Sequence, residues 1–391
     1  MNTHYVKPTF LSILTATAVL LAGCNSSSNS SSSDPSDTDN GNGTTPDADV
    51  RSWTLLDADQ SQTYALYDAF QVNEDTIWAV GDGMPTSIGG VGAFILKSTD
   101  GGDTWSQYGN DYWYSLRGVH FVDENNGWIV GGLVSGNPPI VLRTQNAGGT
   151  WSEQSHPISD EGTFFDIKFV NATHGWIAGG HNGPSVEESD RFILHTTDGG
   201  NTWDKVAFDF GNGLPFLSVS FVDTMNGWAV GRDTEDETND SYYYTTDGGV
   251  NWQTGKTGVY EQIGPYADRF DLVQFLNTDV GFLSGVSRVM KTTDGGLTWN
   301  LVFLQGSMNI HDMQFIDEQH GWLVGNGIGS NSSVAKIYYT EDGGSTWHEE
   351  LVTDVPTGFS ENTALRGIHA LNLDNVIAVG NRTTIISRDD D

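Results

Sequence analysis

The chain has 391 residues, 17 of them lysine or arginine and 51 aspartate or glutamate, for a formal net charge of −34. That field repels nucleic acid and anionic lipid headgroups, so binding by phosphate neutralisation is excluded. One cysteine excludes an intrachain disulfide, and ten histidines without HExxH or similar spacing point to no metal centre.

The N-terminus reads as an export segment over residues 1–23. Lys7 precedes an apolar run from Phe10 to Leu21, short for a bilayer span. The run ends in Leu21-Ala22-Gly23-Cys24, which resembles a bacterial lipobox and implies that Cys24 is acylated. An ordinary signal peptide with an incidental cysteine is the alternative. More than one acyl chain makes such an anchor stable. Asn25, in place of aspartate, favours the outer membrane of a bacterial cell envelope, its periplasmic or surface side left open. Residues 24–50 are nearly all Ser, Asp, Thr, Gly, Asn and Pro. They have nothing to bury, so they are expected to form a flexible tether.

Two motifs then alternate through 51–391. The first is apolar-x-Phe, a short polar turn, and Gly-Trp-apolar-x-Gly, as in Val119-His120-Phe121 followed by Gly127-Trp128-Ile129-Val130-Gly131. It recurs at Phe169 with Trp176, Phe221 with Trp228, Phe275 with Phe282, and Phe315 with Trp322. Weaker copies end at Gly81 and Gly380. The second is Ser/Thr-x-Asp-x-Gly-x-Thr-Trp, which resembles the Asp-box. Its key residues are Asp100, Gly102, Trp105; Asn146, Gly148, Trp151; Asp198, Gly200, Trp203; Asp247, Gly249, Trp252; Asp294, Gly296, Trp299; and Asp342, Gly344, Trp347. Here the carboxylate serves the turn by accepting backbone N–H groups. Glycine supplies positive φ, and tryptophan buries a large apolar face.

Each period reads as four short strands, in the second copy roughly Leu116–Phe121, Gly127–Gly131, Ile140–Thr144 and Thr150–Glu153. A repeat of about 40–50 residues with four strands is the signature of a propeller blade. The expected fold is therefore all-β, a seven-bladed propeller of antiparallel blades. The chain stops at Ser387-Arg388-Asp389, partway into another Asp-box, and 51–55 read as the strand that follows one. The N-terminal strand is expected to complete the last blade, removing a sheet edge and closing the ring.

Long irregular segments, including 82–92, 132–139, 180–190, 232–240, 257–269 and 326–333, fall on the face opposite the Asp-boxes. Loops on a rigid scaffold carry specificity, so the binding face is expected there. The starts of the innermost strands should line the channel mouth with Tyr67, Asp68, Arg117, Asp166, Asp271, His311, Asp312 and Arg366. Arg117 and Arg366 share one repeat position and suit a carboxylate-bearing partner, unless neighbouring aspartates pair with them. The acidic segment 232–240 lacks regular calcium-ligand spacing and reads as a solvated loop.

The pairing of Gly-Trp-x-Val-Gly with Thr-Thr-Asp-Gly-Gly-x-Thr-Trp resembles the photosystem II stability/assembly factor family. That resemblance implies a propeller acting as a non-enzymatic scaffold, with a protein partner and no cofactor. The competing reading is a glycoside hydrolase, since sialidases and some glucanases also carry Asp-boxes; glycan binding without cleavage is a third. A sialidase requires three channel arginines and a Tyr/Glu pair, and only two arginines fit channel positions; a hydrolase otherwise requires a carboxylate pair, for which Asp166 and Asp271 are candidates.

Overall fold

In the computed structural model, the described residues are 52–56, 64–83, 92–108, 114–132, 138–159, 162–181, 190–206, 214–231, 241–258, 270–306, 308–328, 334–350 and 364–388. All lie in the compact unit Asp49–Asp391. The export segment, Cys24, the tether, the acidic stretch 232–240 and most of the long irregular segments lie outside them.

Every regular element among the described residues is a strand. After β1 (Trp53–Leu55) come β2 (Ala65–Gln71), β3 (Ile77–Asp82), β4 (Ala93–Ser98) and β5 (Ser106–Tyr108). The next two groups are β6 (Ser115–Phe121), β7 (Gly127–Gly132), β8 (Ile140–Thr144), β9 (Ser152–Glu153), and β10 (Thr163–Phe169), β11 (Gly175–His181), β12 (Asp190–Thr196), β13 (Asp204–Lys205). Then follow β14 (Phe216–Phe221), β15 (Gly227–Gly231), β16 (Ser241–Thr245), β17 (Gln253–Lys256), and β18 (Phe270–Phe275), β19 (Gly281–Gly285), β20 (Arg288–Thr292), β21 (Asn300–Leu304). The last are β22 (Met308–Phe315), β23 (Gly321–Gly327), β24 (Ala335–Thr340), β25 (His348–Glu350), and β26 (Leu365–Ala370), β27 (Val376–Gly380), β28 (Ile385–Arg388).

Each group is an antiparallel meander. A single register pair, Thr163 with Gly132, joins the second and third groups. The innermost strands β2, β6, β10, β14, β18, β22 and β26 pack side by side in that order, and β26 packs beside β2. This is a β-propeller. The expected fourth strand of the second group, Thr150–Glu153, is observed only as Ser152–Glu153. Thr150 is held in the preceding turn, where its amide donates to Asn146 Oδ1 at 2.9 Å.

The two sequence motifs meet between sheets. Trp176 stacks on Phe221 of the next sheet at 3.6 Å and 4°, and Trp252 meets that phenyl edge-on at 6.0 Å and 84°. The same triad forms from Trp128, Phe169 and Trp203, and from Trp228, Phe275 and Trp299; Phe282 replaces the first indole over Phe315. Each hydrophobic cluster therefore belongs to two adjacent sheets. The glycine before the tryptophan makes room: a Cβ on Gly227 falls 2.2 Å from the Phe221 ring.

The Asp-box is a hydrogen-bonded turn. At Asp198, Oδ1 accepts from the Thr202 amide at 2.9 Å and Oδ2 from the Thr202 hydroxyl at 2.7 Å. The Thr196 hydroxyl donates to Asp198 and accepts from the Gly200 amide at 2.8 Å, where Gly200 has φ 88°. The hydrogen bonds hold the Asp198 carboxyl below its ordinary pKa, as expected for an ionised turn residue. Asn146 does the same work with Oδ1 as the acceptor, while its Nδ2 donates to the Thr150 hydroxyl at 3.1 Å.

β1 pairs antiparallel with β28, Trp53 opposite Arg388 and Leu55 opposite Ile386. Trp53 is fully buried in the cluster holding Trp322, the place an Asp-box tryptophan takes elsewhere. Its indole N–H donates to Glu350 Oε2 at 2.8 Å, and Glu350 Oε1 lies 2.6 Å from Arg388 Nη2.

Candidate functional site

The register of each innermost strand slips once against its neighbour, between Leu66 and Asp68, Leu116 and Gly118, Phe164 and Asp166, Phe216 and Ser218, Phe270 and Leu272, Ile310 and Asp312, and Leu365 and Gly367. A bulge places two residues opposite one and turns the extra side chain away from the sheet face. The extra residues are Tyr67, Arg117, Phe165, Leu217, Asp271, His311 and Arg366, and all line one cavity of about 330 Å³. Asp68, Asp166 and Asp312, each one residue further on, line it as well. The eight residues singled out in the sequence thus share one cavity; Phe165, Leu217 and Ser218 were missed because apolar and hydroxyl residues carry no charge signal.

The two arginines converge on Tyr67. The Arg117 guanidinium lies 3.8 Å from the ring centroid and that of Arg366 5.2 Å. Among the described residues neither has a carboxylate within ion-pair distance, and Arg117 Nε is buried without a hydrogen-bond partner. Arg366 Nε donates to Asn381 Oδ1 at 2.6 Å. The Tyr67 hydroxyl donates to Asp82 Oδ2 at 3.2 Å, which also accepts from Ser115. Burial raises the Tyr67 pKa, opposed by Arg117. His311 is pushed down to about 4 by burial and by the Arg366 charge, so it is neutral at pH 7.

The aspartates do structural work too. Asp68 Oδ2 accepts the Val119 amide at 2.8 Å, Asp166 Oδ2 the Val219 amide at 2.9 Å, and Asp312 Oδ2 the Ile368 amide at 2.8 Å. Each carboxylate thereby ties its strand to the next innermost strand. A second cavity of about 160 Å³ shares these three aspartates and continues past His120, Lys168 and His369. Burial lowers the Lys168 pKa against the pull of Asp166 and Asp68, and drives His369 down to about 3, helped by Lys168. Burial raises Asp68 and Asp166, and takes Asp312 to about 7.

A pH dependence follows. Asp312 binds its proton more tightly folded than unfolded, where its pKa is about 3.8. Its contribution is complete below about pH 4 and is lost as pH rises through about 7. The contribution of His369 has the opposite sense, being present above about 6.5 and lost as pH falls toward 3. Between pH 5 and 8 the Asp312 contribution therefore falls by about 2–3 kcal/mol. Asp312→Asn keeps an acceptor for the Ile368 amide but does not titrate. Denaturant melts should show the variant gaining on the wild type by about that amount over this range; a constant difference contradicts the assignment.

No group of three or more His, Cys, Asp or Glu suited to a metal ion occurs among the described residues. What the site offers is a pair of guanidiniums with free N–H groups, apolar walls at Phe165, Leu217, Leu272 and Ile310, and carboxylates engaged with backbone amides.

Fold, turn chemistry and cavity define an Asp-box β-propeller with a polar site at the ends of its innermost strands. The BNR/Asp-box repeat family matches residues 243–254. Within that class the chain is similar to the photosystem II stability/assembly factors. It is 24% identical over 214 residues to the photosystem II assembly lipoprotein Ycf48 of Synechococcus sp. (strain CC9902), covering 54% of this chain and 56% of the relative. It is 27% identical over 143 residues to the chloroplastic photosystem II stability/assembly factor HCF136 of Oryza sativa subsp. japonica, covering 35% and 30%. The matches thus span little more than half of one relative and under a third of the other. Of the solved structures, YCF48 bound to a D1 peptide superposes with a TM-score of 0.61 at 18% identity, over 88% of this chain and 97% of that one. That likeness shows the fold.

Proposed function

We propose that this protein is a non-enzymatic scaffold, a seven-bladed propeller closed by its N-terminal strand, that holds a protein partner through a carboxylate. The observation that carries the reading is the pair of guanidiniums over Tyr67, without an ion-pair partner among the described residues, in a chain of net charge −34. An arginine pair left free in such an acidic molecule is suited to an anion supplied from outside. The relatives are named as assembly or stability factors, and one structural neighbour is described as bound to a peptide, which supports a protein partner here. The lipobox-like sequence at Cys24 supports a lipid anchor for the scaffold, and Asn25 favours an outer-membrane lipoprotein.

The hydrolase alternative gains nothing from the cavity. Among the described residues only two arginines line it, and Asp166 is bonded to the Val219 amide and the Ser218 hydroxyl rather than free to face a second carboxylate. A cross-linking pull-down from membranes tests the reading. The wild type is expected to capture a specific protein that the Arg117→Ala, Arg366→Ala double variant loses by at least about tenfold, two charge-assisted contacts being removed. Capture unaffected by the double variant, or cleavage of a glycoside panel by the purified propeller, overturns it.

A further inference from the structure

We infer that Asn381 is a positioning residue for the carboxylate site, acting through Arg366. The inference rests on the reading of the cavity as that site. Asn381 Oδ1 accepts the Arg366 Nε proton at 2.6 Å, which uses the side edge of the guanidinium and leaves both terminal nitrogens free. Those two nitrogens are the pair that meets a carboxylate end-on with two parallel hydrogen bonds. Arg117 contrasts: its Nε has no partner, and among the described residues its plane is set by the Tyr67 ring.

The backbone around Asn381 is fixed from several sides. Its amide donates to Ala364 O at 3.0 Å, it bridges Ala65, and its carbonyl accepts from Thr384 Oγ1 at 2.7 Å. Ala364 and Ala65 lie at the starts of the strands that carry Arg366 and Tyr67. The next two residues, Arg382 and Thr383, have φ 59° and 52°, a left-handed pair that favours Asn-Gly and disfavours a β-branched side chain. The Thr383 amide is held by Tyr64 O at 2.9 Å. Strain kept beside a binding cavity, in a turn that sets the plane of one of its two arginines, points to function rather than to chain reversal alone.

The test is titration of the folded protein with acetate at constant ionic strength, read from the arginine Nε–H resonances and against a chloride control. Asn381→Ala is expected to raise the acetate Kd about threefold to tenfold, the range for releasing one ordered side chain. Its melting temperature should stay close to that of the wild type. In an Arg366→Ala background the same substitution should have no further effect. Asn381→Asp retains an acceptor and the turn, yet it should weaken acetate as much or more, because its charge cancels that of Arg366. An unchanged Kd in either variant, or an equal loss in the Arg366→Ala background, overturns the inference while leaving the carboxylate site standing. A wild type that does not respond to acetate beyond the chloride control removes the site itself and the role of Asn381 with it.

Discussion

Glu350→Ala lowers the free energy of unfolding by about 3–5 kcal/mol, the range for stripping the partner from a buried ion pair. The side chains of Arg388 and Glu350 are 2% and 8% exposed, and their charged atoms lie 2.6 Å apart. The guanidinium also lies over the Tyr339 and Trp322 rings, at 4.3 and 5.2 Å from their centroids. Its other hydrogen bond among the described residues, from Nη1 to Leu373 O, is long at 3.3 Å. With the carboxylate gone, a buried charge keeps only that bond and the ring faces, and the Trp53 indole N–H loses its acceptor as well. Glu350→Gln retains an oxygen for one donor and should lose less. Chemical denaturation monitored by tryptophan fluorescence measures both; a loss below about 1 kcal/mol for the alanine variant would mean that the pair is solvated in solution.

Trp176→Ala belongs in the same range, about 3–5 kcal/mol for a fully buried large aromatic. The indole is fully buried, stacked on Phe221 on one side and on His195 at 4.8 Å and 4°. Its N–H donates to Gly248 O at 3.0 Å, inside the Asp-box turn of the next sheet. One substitution therefore opens a cavity between sheets and frees a turn. Trp176→Phe should cost much less, because Phe282 fills the equivalent place over Phe315 at 3.5 Å. Leu297→Ala is the control. That side chain is 86% exposed in an Asp-box turn and should change stability by less than about 0.5 kcal/mol. A Trp176→Ala midpoint as high as that of the Leu297 variant contradicts the inter-sheet packing.

The repeat grammar was legible because each motif residue has one physical task. Gly227 leaves room for a phenyl ring, Trp228 stacks across to the next sheet, and Asp247 closes its turn. Such tasks leave fixed spacings. The candidate cavity was legible by charge: Arg117, Arg366 and the aspartates stand out at strand starts. The bulges that aim Tyr67, Arg117 and Arg366 inward were not, since a one-residue slip in register leaves no mark in composition. Asn381 was hidden for a different reason. Its role depends on a neighbour 15 positions away and on a left-handed turn built from arginine and threonine, which turn propensities do not favour. His120, Lys168 and His369 read as ordinary strand residues until the innermost strands are set side by side.

The pairing of β1 with β28 also sets an order of events when the chain is made. Trp53 is 297 residues ahead of its hydrogen-bond partner Glu350. At ~5–20 residues per second, that indole waits about 15–60 s before its acceptor is synthesised. The other sheets need only neighbours close behind them, so they can assemble as they appear. The sheet that pairs β1 with β28 cannot: its apolar cluster stays open until β28 is made.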